Sequence, residues 1–568
     1  MLVRRVSTVC MAVWAVLVVG GASCARVLPE PARSQKGMVA TVHPLATRAG
    51  VDAMKHGGNA VDAAVAAALT LGVVDGCNSG IGGGCLIVIR TPSGQFAAID
   101  GRETAPAKSS RDMYVRAGKA DTEASQTGPL ASGTPGALAA YDDAIRSFGR
   151  LSLRELLLPA AKIAEEGFVV TRDYSTSLED SAKELAKFPG SGNVLLKDGK
   201  PLQQGDVLRQ IDLAGTYRSI AEHGTDWFYR GPFAHSVAEW MRANGGILDE
   251  ADFAQYRSVR REPIVSRYRD LTLVGFPPPS AGGTHVAEIL NILEHFDLKK
   301  LHEEDPANCA HVIAESMKLA FADRAYWLGD ADFADVPRGL VDPAYAASLA
   351  KRIDRRHATQ VQGHGTPPDA LENLFRKHTT HIAAVDADGF WVGITATVNT
   401  TFGSKVIVPG TGVILNSEMD DFASQPGVAN VFGLVGADAN CIQPGKRPLS
   451  SMSPTIVLRD GKPVLTVGAA GGPTIHSQIV LAIVNPFDLG MPLAEAVASP
   501  RFHHQWSPDQ IAIEKSADAE LSRRLQALGH TLQGKKRIGV TQAIGLAEDG
   551  RHLLGVFDPR VQGAAEGW

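Results

Sequence analysis

The chain has 568 residues, 44% of them hydrophobic and 21% charged, with a formal net charge of −5. That length can bury a large core, and the mildly acidic balance excludes partners that need a basic face, such as nucleic acid or an anionic membrane surface. Six cysteines in so long a chain are not a disulfide framework, and the absence of a CxxC pair argues against structural zinc.

In chain order, Arg4 and Arg5 precede an apolar run from Val9 to Val19, followed by the small residues Gly20 to Ala25. This is the layout of a secretory signal peptide, and the apolar run is shorter than the roughly 20 residues of a spanning helix. Residues 1–25 are read as a leader, which makes the mature protein periplasmic or secreted. Ala22-Ser23-Cys24 also matches a lipoprotein processing site that would leave a lipid anchor on Cys24. Gly21 stands where leucine is usual, so plain cleavage nearby is the favoured reading.

Asn59, with Asp62 three residues on, predicts a capped helix running to about Leu71. A glycine-rich bend, Gly80-Ile81-Gly82-Gly83-Gly84, leads to an apolar strand from Cys85 to Ile89, a Pro-Ser-Gly turn and a strand to about Ile99. The bend follows a helix and opens a strand, the reverse of a dinucleotide fingerprint, so a nucleotide site is set aside. Further on, Asp388-Gly389 and Asp460-Gly461 each separate apolar runs as hairpin turns do, and Ile475, Ile479 and Ile483 recur at helical spacing. His503 and His504 point apart on a strand and lack a third ligand at a suggestive spacing, so no metal and no cofactor is expected. With no repeat or linker after the leader, the chain reads as one interlocked fold.

The run His378-Thr379-Thr380-His381 precedes the first of those hairpins, and Thr397-Val398-Asn399-Thr400-Thr401-Phe402-Gly403 follows it. A Thr-Thr pair entering a strand is by itself an ordinary strand start. Cleavage before Thr379 would instead free a residue that carries both a hydroxyl nucleophile and an α-amine of pKa about 7.7 to 8.0 to take its proton. Before cleavage that nitrogen is an amide without basicity, so the uncut chain is expected to be inactive.

Several blocks resemble the γ-glutamyltranspeptidase family. They are Thr379-Thr380-His381, the run from Thr397 to Gly403, Asn416 to Phe422, Lys446 to Pro454 and Pro500 to Gln505. Upstream, Asn78 to Gly84, Asp100 to Pro106, Gly133 to Gly136, Pro277 to Gly283 and Ala322-Asp323-Arg324 match as well, leaving only about the first forty residues outside. The resemblance implies a four-layer αββα sandwich of the N-terminal-nucleophile hydrolase type, an α/β (α+β) fold of two autocleaved subunits. Residues 26–378 would form the large subunit and 379–568 the small one, cut between His378 and Thr379 and held together as a heterodimer.

Carried onto this sequence, the family's roles make Thr379 the nucleophile, Thr397 the residue that orients it, and Gly471 and Gly472 the backbone donors for an oxyanion. Arg102, with Ser450 and Ser451, would take the α-carboxylate of a γ-glutamyl group, and Glu418, Asp421 and Asn399 its α-ammonium. The implied activity is γ-glutamyl transfer from glutathione and related compounds to water or to amino acid or dipeptide acceptors. Phe432 departs from the pattern: bacterial members often carry tyrosine there, whose hydroxyl helps latch a lid. Two alternatives stand beside this reading. An acylase for glutaryl or cephalosporin side chains would share the nucleophile but has no use for ammonium-binding carboxylates, and an exported, unprocessed binding protein would remain a single chain.

Overall fold

The computed structural model describes residues 28–368 and 381–568; the leader, His378 and Thr379 lie outside the described residues. Fourteen strands build two seven-stranded sheets. In chain order they are β1 (Ala32–Ser34), β2 (Gly37–Thr41), β3 (Gly84–Arg90), β4 (Phe96–Gly101), β5 (Val259–Arg261), β6 (Ile264–Tyr268) and β7 (Leu271–Gly275). The rest are β8 (Ile382–Asp386), β9 (Trp391–Thr397), β10 (Thr455–Arg459), β11 (Lys462–Ala470), β12 (Val540–Leu546), β13 (Leu553–Phe557) and β14 (Ala564–Gly567). One sheet has the order β1-β13-β12-β11-β10-β7-β6 and the other β5-β4-β3-β9-β8-β2-β14. Pairing within both is antiparallel throughout.

The period-two alternation of each strand divides its side chains between two cores. In β8, Ala383 and Val385 face the opposite sheet, where they meet Ile456, Leu458 and Ile544, while Ile382 and Ala384 face a helical layer. That layer includes α1 (Pro44–Lys55) and α2 (Ala60–Val74). On the far side of the other sheet, Leu465, Val467 and Ala469 of β11 pack against α3 (Gly282–Leu293), α4 (Pro306–Trp327) and α5 (Thr474–Phe487). The result is the expected order of layers, helix, sheet, sheet, helix.

The local signals act as anticipated. Asn59 Oδ1 accepts the amides of Val61 (2.8 Å) and Asp62 (3.2 Å), and Asp62 returns a bond to the Asn59 amide at 2.8 Å. The helix runs to Val74, three residues past the expected end, because its alanines and valines are buried on every side. Asp460 (φ 50°) and Gly461 (φ 74°) are both left-handed, the requirement of a two-residue turn joining β10 to β11. Both sheets contain strands from before and after residue 378, so a cut there would leave subunits that share both sheets. Cys77, Cys85, Cys309 and Cys441 are buried free thiols. Among the described residues no helix is long and apolar enough to cross a membrane.

Candidate active site

A cavity of about 580 Å³ lies at the end of the sheets where β9 and β11 finish. Thr397, the last residue of β9, and the following Asn399 line it. Thr397 Oγ1 accepts the Asn399 amide at 2.7 Å, and a hydroxyl that accepts one bond still has its hydrogen to donate. Asn399 sits at φ 74°, a conformation asparagine tolerates better than most residues, and its side-chain amide is tied to the Ser417 carbonyl at 2.8 Å. The glycine bend is explained by the same corner: a Cβ on Gly83 would lie 1.8 Å from the Thr397 carbonyl oxygen. Backbone against backbone at that distance admits only glycine.

The acidic side of the site is built on one guanidinium. Arg102, fully buried after β4, pairs through Nη1 with Glu418 and through Nη2 with Asp421 at 2.5 Å, and its Nε donates to the Pro448 carbonyl at 3.3 Å. Glu103 adds a third carboxylate, 3.8 Å from Nη1, in space that Gly84 leaves open. Among the described residues both Glu103 oxygens and Glu418 Oε2 lack a hydrogen-bond partner. Burial raises the pKa of Glu418 well above the usual carboxylate range and that of Glu103 to about 8, against the pull of Arg102. Two buried acids and the partly exposed Asp421 on one cation are short of positive charge. Glu418 and Asp421 line the cavity, whereas Arg102 stands behind them with its fork engaged by the two acids expected to bind ammonium.

Ser450 and Ser451 are both buried at the cavity wall. The Ser450 amide donates to Pro279 and its carbonyl accepts from Ala281, which fixes the segment against the start of α3. Ser451 Oγ accepts from Arg324 of α4 at 3.1 Å, and burial lowers the pKa of that arginine to about 10.

Gly471 (φ 135°) and Gly472 (φ 58°) follow β11 and precede α5, so the N-terminal partial charge of a helix faces the cavity beside them. Backbone amides so placed can stabilise an oxyanion. A Cβ on Gly472 would come 2.9 Å from the Phe432 ring, which rests over this corner. Gln505 holds the Phe432 loop by its backbone, donating to the carbonyls of Phe432 (3.3 Å) and Gly433 (3.1 Å). Gln505 is in turn bonded to His503 at 3.1 Å, and His503 to Ser477 of α5 at 2.6 Å. The loop is therefore fastened without the hydroxyl that phenylalanine lacks.

Comparison with known proteins agrees with this geometry. The model of the gamma-glutamyltranspeptidase family matches residues 46–568. The chain belongs to the γ-glutamyltranspeptidase family. It is 44% identical over 534 residues to the glutathione hydrolase proenzyme of Escherichia coli (strain K12), covering 94% of this chain and 91% of that protein. It is also 39% identical over 531 residues to the acylase ACY 1 proenzyme of Pseudomonas sp. (strain SE83), covering 92% of each. Among solved structures, the cephalosporin acylase of Bacillus halodurans superposes with a TM-score of 0.85 at 27% identity, covering 97% of this chain and 99% of that one. The fold is thus the αββα sandwich of the N-terminal-nucleophile hydrolases.

Within this γ-glutamyltranspeptidase-family site the structure brings together Thr397, Asn399, Glu418, Asp421, Ser450, Ser451, Gly471 and Gly472 around one cavity, with Arg102 behind it. Thr379 is two residues from His381, the first described residue after the proposed cut. His381 lines the cavity with its ring in a slot left by Gly393 and Gly468, where a Cβ on Gly468 would lie 2.1 Å from the ring. Burial lowers its pKa to about 3, so it is neutral at working pH. Sequence reasoning assigned no role to Glu103, Arg324, His381 or Gln505, although each stood inside a matched block; the contacts of Arg324 with Ser451 and of Gln505 with the Phe432 loop join segments far apart in the chain. His311, Glu315 and His530 bring three donor atoms within 4.8 Å of one another in the helical layer. The positive charge there is the Lys318 ammonium, 2.9 Å from Glu315 and 3.0 Å from Asp509, while His311 Nδ1 and His530 Nε2 lie 2.7 Å apart.

Proposed function

We propose that this protein is a glutathione hydrolase and γ-glutamyltransferase whose nucleophile is Thr379, freed by self-cleavage after His378. Thr379 Oγ attacks the His378 carbonyl to give an ester by N-to-O shift, and water hydrolyses that ester, leaving subunits of residues 26–378 and 379–568. In turnover the same oxygen attacks the γ-carbonyl of the donor, its proton passing to the Thr379 α-amine and on to the departing amine. Thr397 orients the nucleophile, and the amides at Gly471 and Gly472 hold the oxyanion. Water or an acceptor amine then opens the γ-glutamyl ester. Residues 1–25 direct export to the periplasm or beyond, an assignment that fractionation of the expressing cells would test.

The observation that carries the choice of acyl group is the charge deficit at the inner end of the cavity. Glu103, Glu418 and Asp421 crowd one arginine, and burial lifts the first two toward protonation. A donor ammonium between Glu418 and Asp421 supplies the missing charge and favours the ionised form of Glu418. A glutaryl or cephalosporin-type side chain has no ammonium to bring, which disfavours the acylase reading despite the acylases among the relatives. Arg102, with Ser450 and Ser451, then takes the α-carboxylate once the ammonium has drawn the acids off its fork.

The test is to compare γ-glutamyl-p-nitroanilide with glutaryl-p-nitroanilide. The γ-glutamyl compound is expected to be cleaved with a kcat/KM about 10⁴-fold higher, the order of magnitude for a site whose buried polar groups are otherwise left unpaired. Equal cleavage of the two, or preference for the glutaryl compound, would replace this reading by the acylase one.

A further inference from the structure

The cavity has an outer end that the γ-glutamyl chemistry leaves unused. Its wall comes from the C-terminal cap of α2, the helix Arg172–Leu185 and the loop entering β12, and its charged groups are Asp75, Asp173 and Arg537. Among the described residues lining the cavity, Arg537 is the one arginine or lysine. Arg102 stands behind the inner wall with its fork engaged, so a carboxylate at the outer end has Arg537 as its permanently charged partner.

Arg537 Nη1 stands 3.5 Å from Asp173 Oδ1, and the two side chains are 46% and 47% exposed. A solvent-facing pair at that distance contributes only ~0–1 kcal/mol. The guanidinium can exchange Asp173 for another anion at little cost, and its planar fork suits a carboxylate. Asp75 lies close by, its pKa pushed up to about 6 chiefly by burial, with Asp173 adding to the rise and Arg537 opposing it. Without Arg537 this end would repel any anionic group.

Its position relative to the reacting centre is set by the backbone. Gly539, two residues beyond Arg537, abuts Gly471, since a Cβ on Gly471 would stand 2.9 Å from Gly539 Cα. The carbonyl under attack is assigned to the Gly471-Gly472 corner, and Arg537 lines the same cavity two residues along the chain from the glycine that abuts this corner. A dipeptide amine extends ~7 Å from the scissile nitrogen to its terminal carboxylate. Arg537 and Gly539 belong to the same short loop entering β12, so one segment carries both the guanidinium and the contact with Gly471.

We propose that Arg537 binds the free C-terminal carboxylate of the peptide amine that leaves the γ-glutamyl group or enters to replace it. The outer end is then a subsite for an amino acid or dipeptide with an unblocked α-carboxylate, such as the cysteinylglycine half of glutathione. This inference rests on the γ-glutamyl reading of the inner end. Asp173 holds the guanidinium at the cavity mouth while the subsite is empty.

The experiment measures KM for glutathione and for its C-terminal amide, in the mature wild type and in Arg537→Gln. In the wild type the amide is expected to have a KM about tenfold higher than the acid, the factor that corresponds to ~1.4 kcal/mol. In Arg537→Gln the two KM values should agree within about twofold, and Arg537→Lys should recover part of the difference, because a charge-assisted bond is restored without the fork. Equal KM values for acid and amide in the wild type would overturn the subsite even if Arg537→Gln did not fold. So would a variant that still discriminates as the wild type does. Failure of the wild type to cleave any γ-glutamyl compound, the p-nitroanilide included, would instead remove the γ-glutamyl reading itself.

Discussion

At the inner end of the cavity Arg102 is wholly buried with Glu418 and Asp421 on its fork, whereas at the outer end Arg537 and Asp173 face solvent 3.5 Å apart. The same pair of chemical groups has different consequences in the two places. Buried charges whose partners are fixed by the fold are costly to disturb and can demand one ligand; exposed charges exchange partners readily and can accept many. The cavity can thus combine strict recognition of the acyl group with looser recognition of the amine.

The largest expected effect comes from breaking the inner end. Arg102→Met would leave the buried carboxyls of Glu103 and Glu418 without their cation, and loss of one partner of a buried ion pair typically costs about 3–5 kcal/mol. Urea unfolding of this variant in an uncleaved Thr379→Ala background, where the chain remains in one piece, measures that loss directly. A change below about 1 kcal/mol would mean that the acids do not depend on Arg102.

Next is the oxyanion corner. Gly472→Ala places a methyl group 2.9 Å from the Phe432 ring in a residue held at φ 58°, so the backbone must shift at the corner proposed to hold the oxyanion. A fall in kcat of about 10²-fold with little change in KM is expected, and an unaltered kcat would show that these amides do not face the reacting carbonyl. Gln505→Leu acts more gently by freeing the carbonyls of Phe432 and Gly433. KM for glutathione is expected to rise by about threefold to tenfold, as one or two neutral hydrogen bonds allow. Unchanged kinetics would show that the Phe432 loop keeps its place by other contacts.

The smallest effect concerns a cavity-lining cap. His43 Nδ1 accepts the Leu45 amide at the start of α1, and burial lowers its pKa to about 4. A histidine whose folded pKa is depressed contributes stability that is complete above its unfolded pKa of about 6.5 and is lost as pH falls toward the folded value. His43→Asn keeps a good capping residue without a titrating ring. Wild type should lose about 1–2 kcal/mol relative to this variant between pH 7.5 and pH 5, measured by urea unfolding; parallel curves would contradict the assignment.

Much of the architecture was legible from local chemistry. The capping pair Asn59-Asp62, the Asp388-Gly389 and Asp460-Gly461 turns and the isoleucine spacing of α5 all specify structure through groups within a few residues of one another. Motif matching likewise located part of the cavity wall, from Thr397 and Asn399 to Glu418, Asp421, Ser450 and Ser451. What remained hidden depends on chain segments hundreds of residues apart. Nothing near Arg102 in sequence indicates that its fork is held by Glu418 and Asp421, or that Gly84 leaves room for Glu103. The glycine bend, unsuited to a nucleotide, is required by the approach of Thr397, more than 300 residues downstream. Arg537 lies outside every matched block, and only the folded chain places it on the cavity.

The central claim is that Thr379 both cuts the chain and performs the acyl transfer. Intact-mass analysis of purified wild type beside Thr379→Ala, with N-terminal sequencing of the smaller fragment, tests it most directly. The account predicts a wild-type fragment of residues 379–568 that begins with Thr379 and stays associated with the large one, and a single uncut, inactive chain in the mutant. A folded wild type that remains uncut, or a fragment that begins elsewhere and persists in Thr379→Ala, would contradict it.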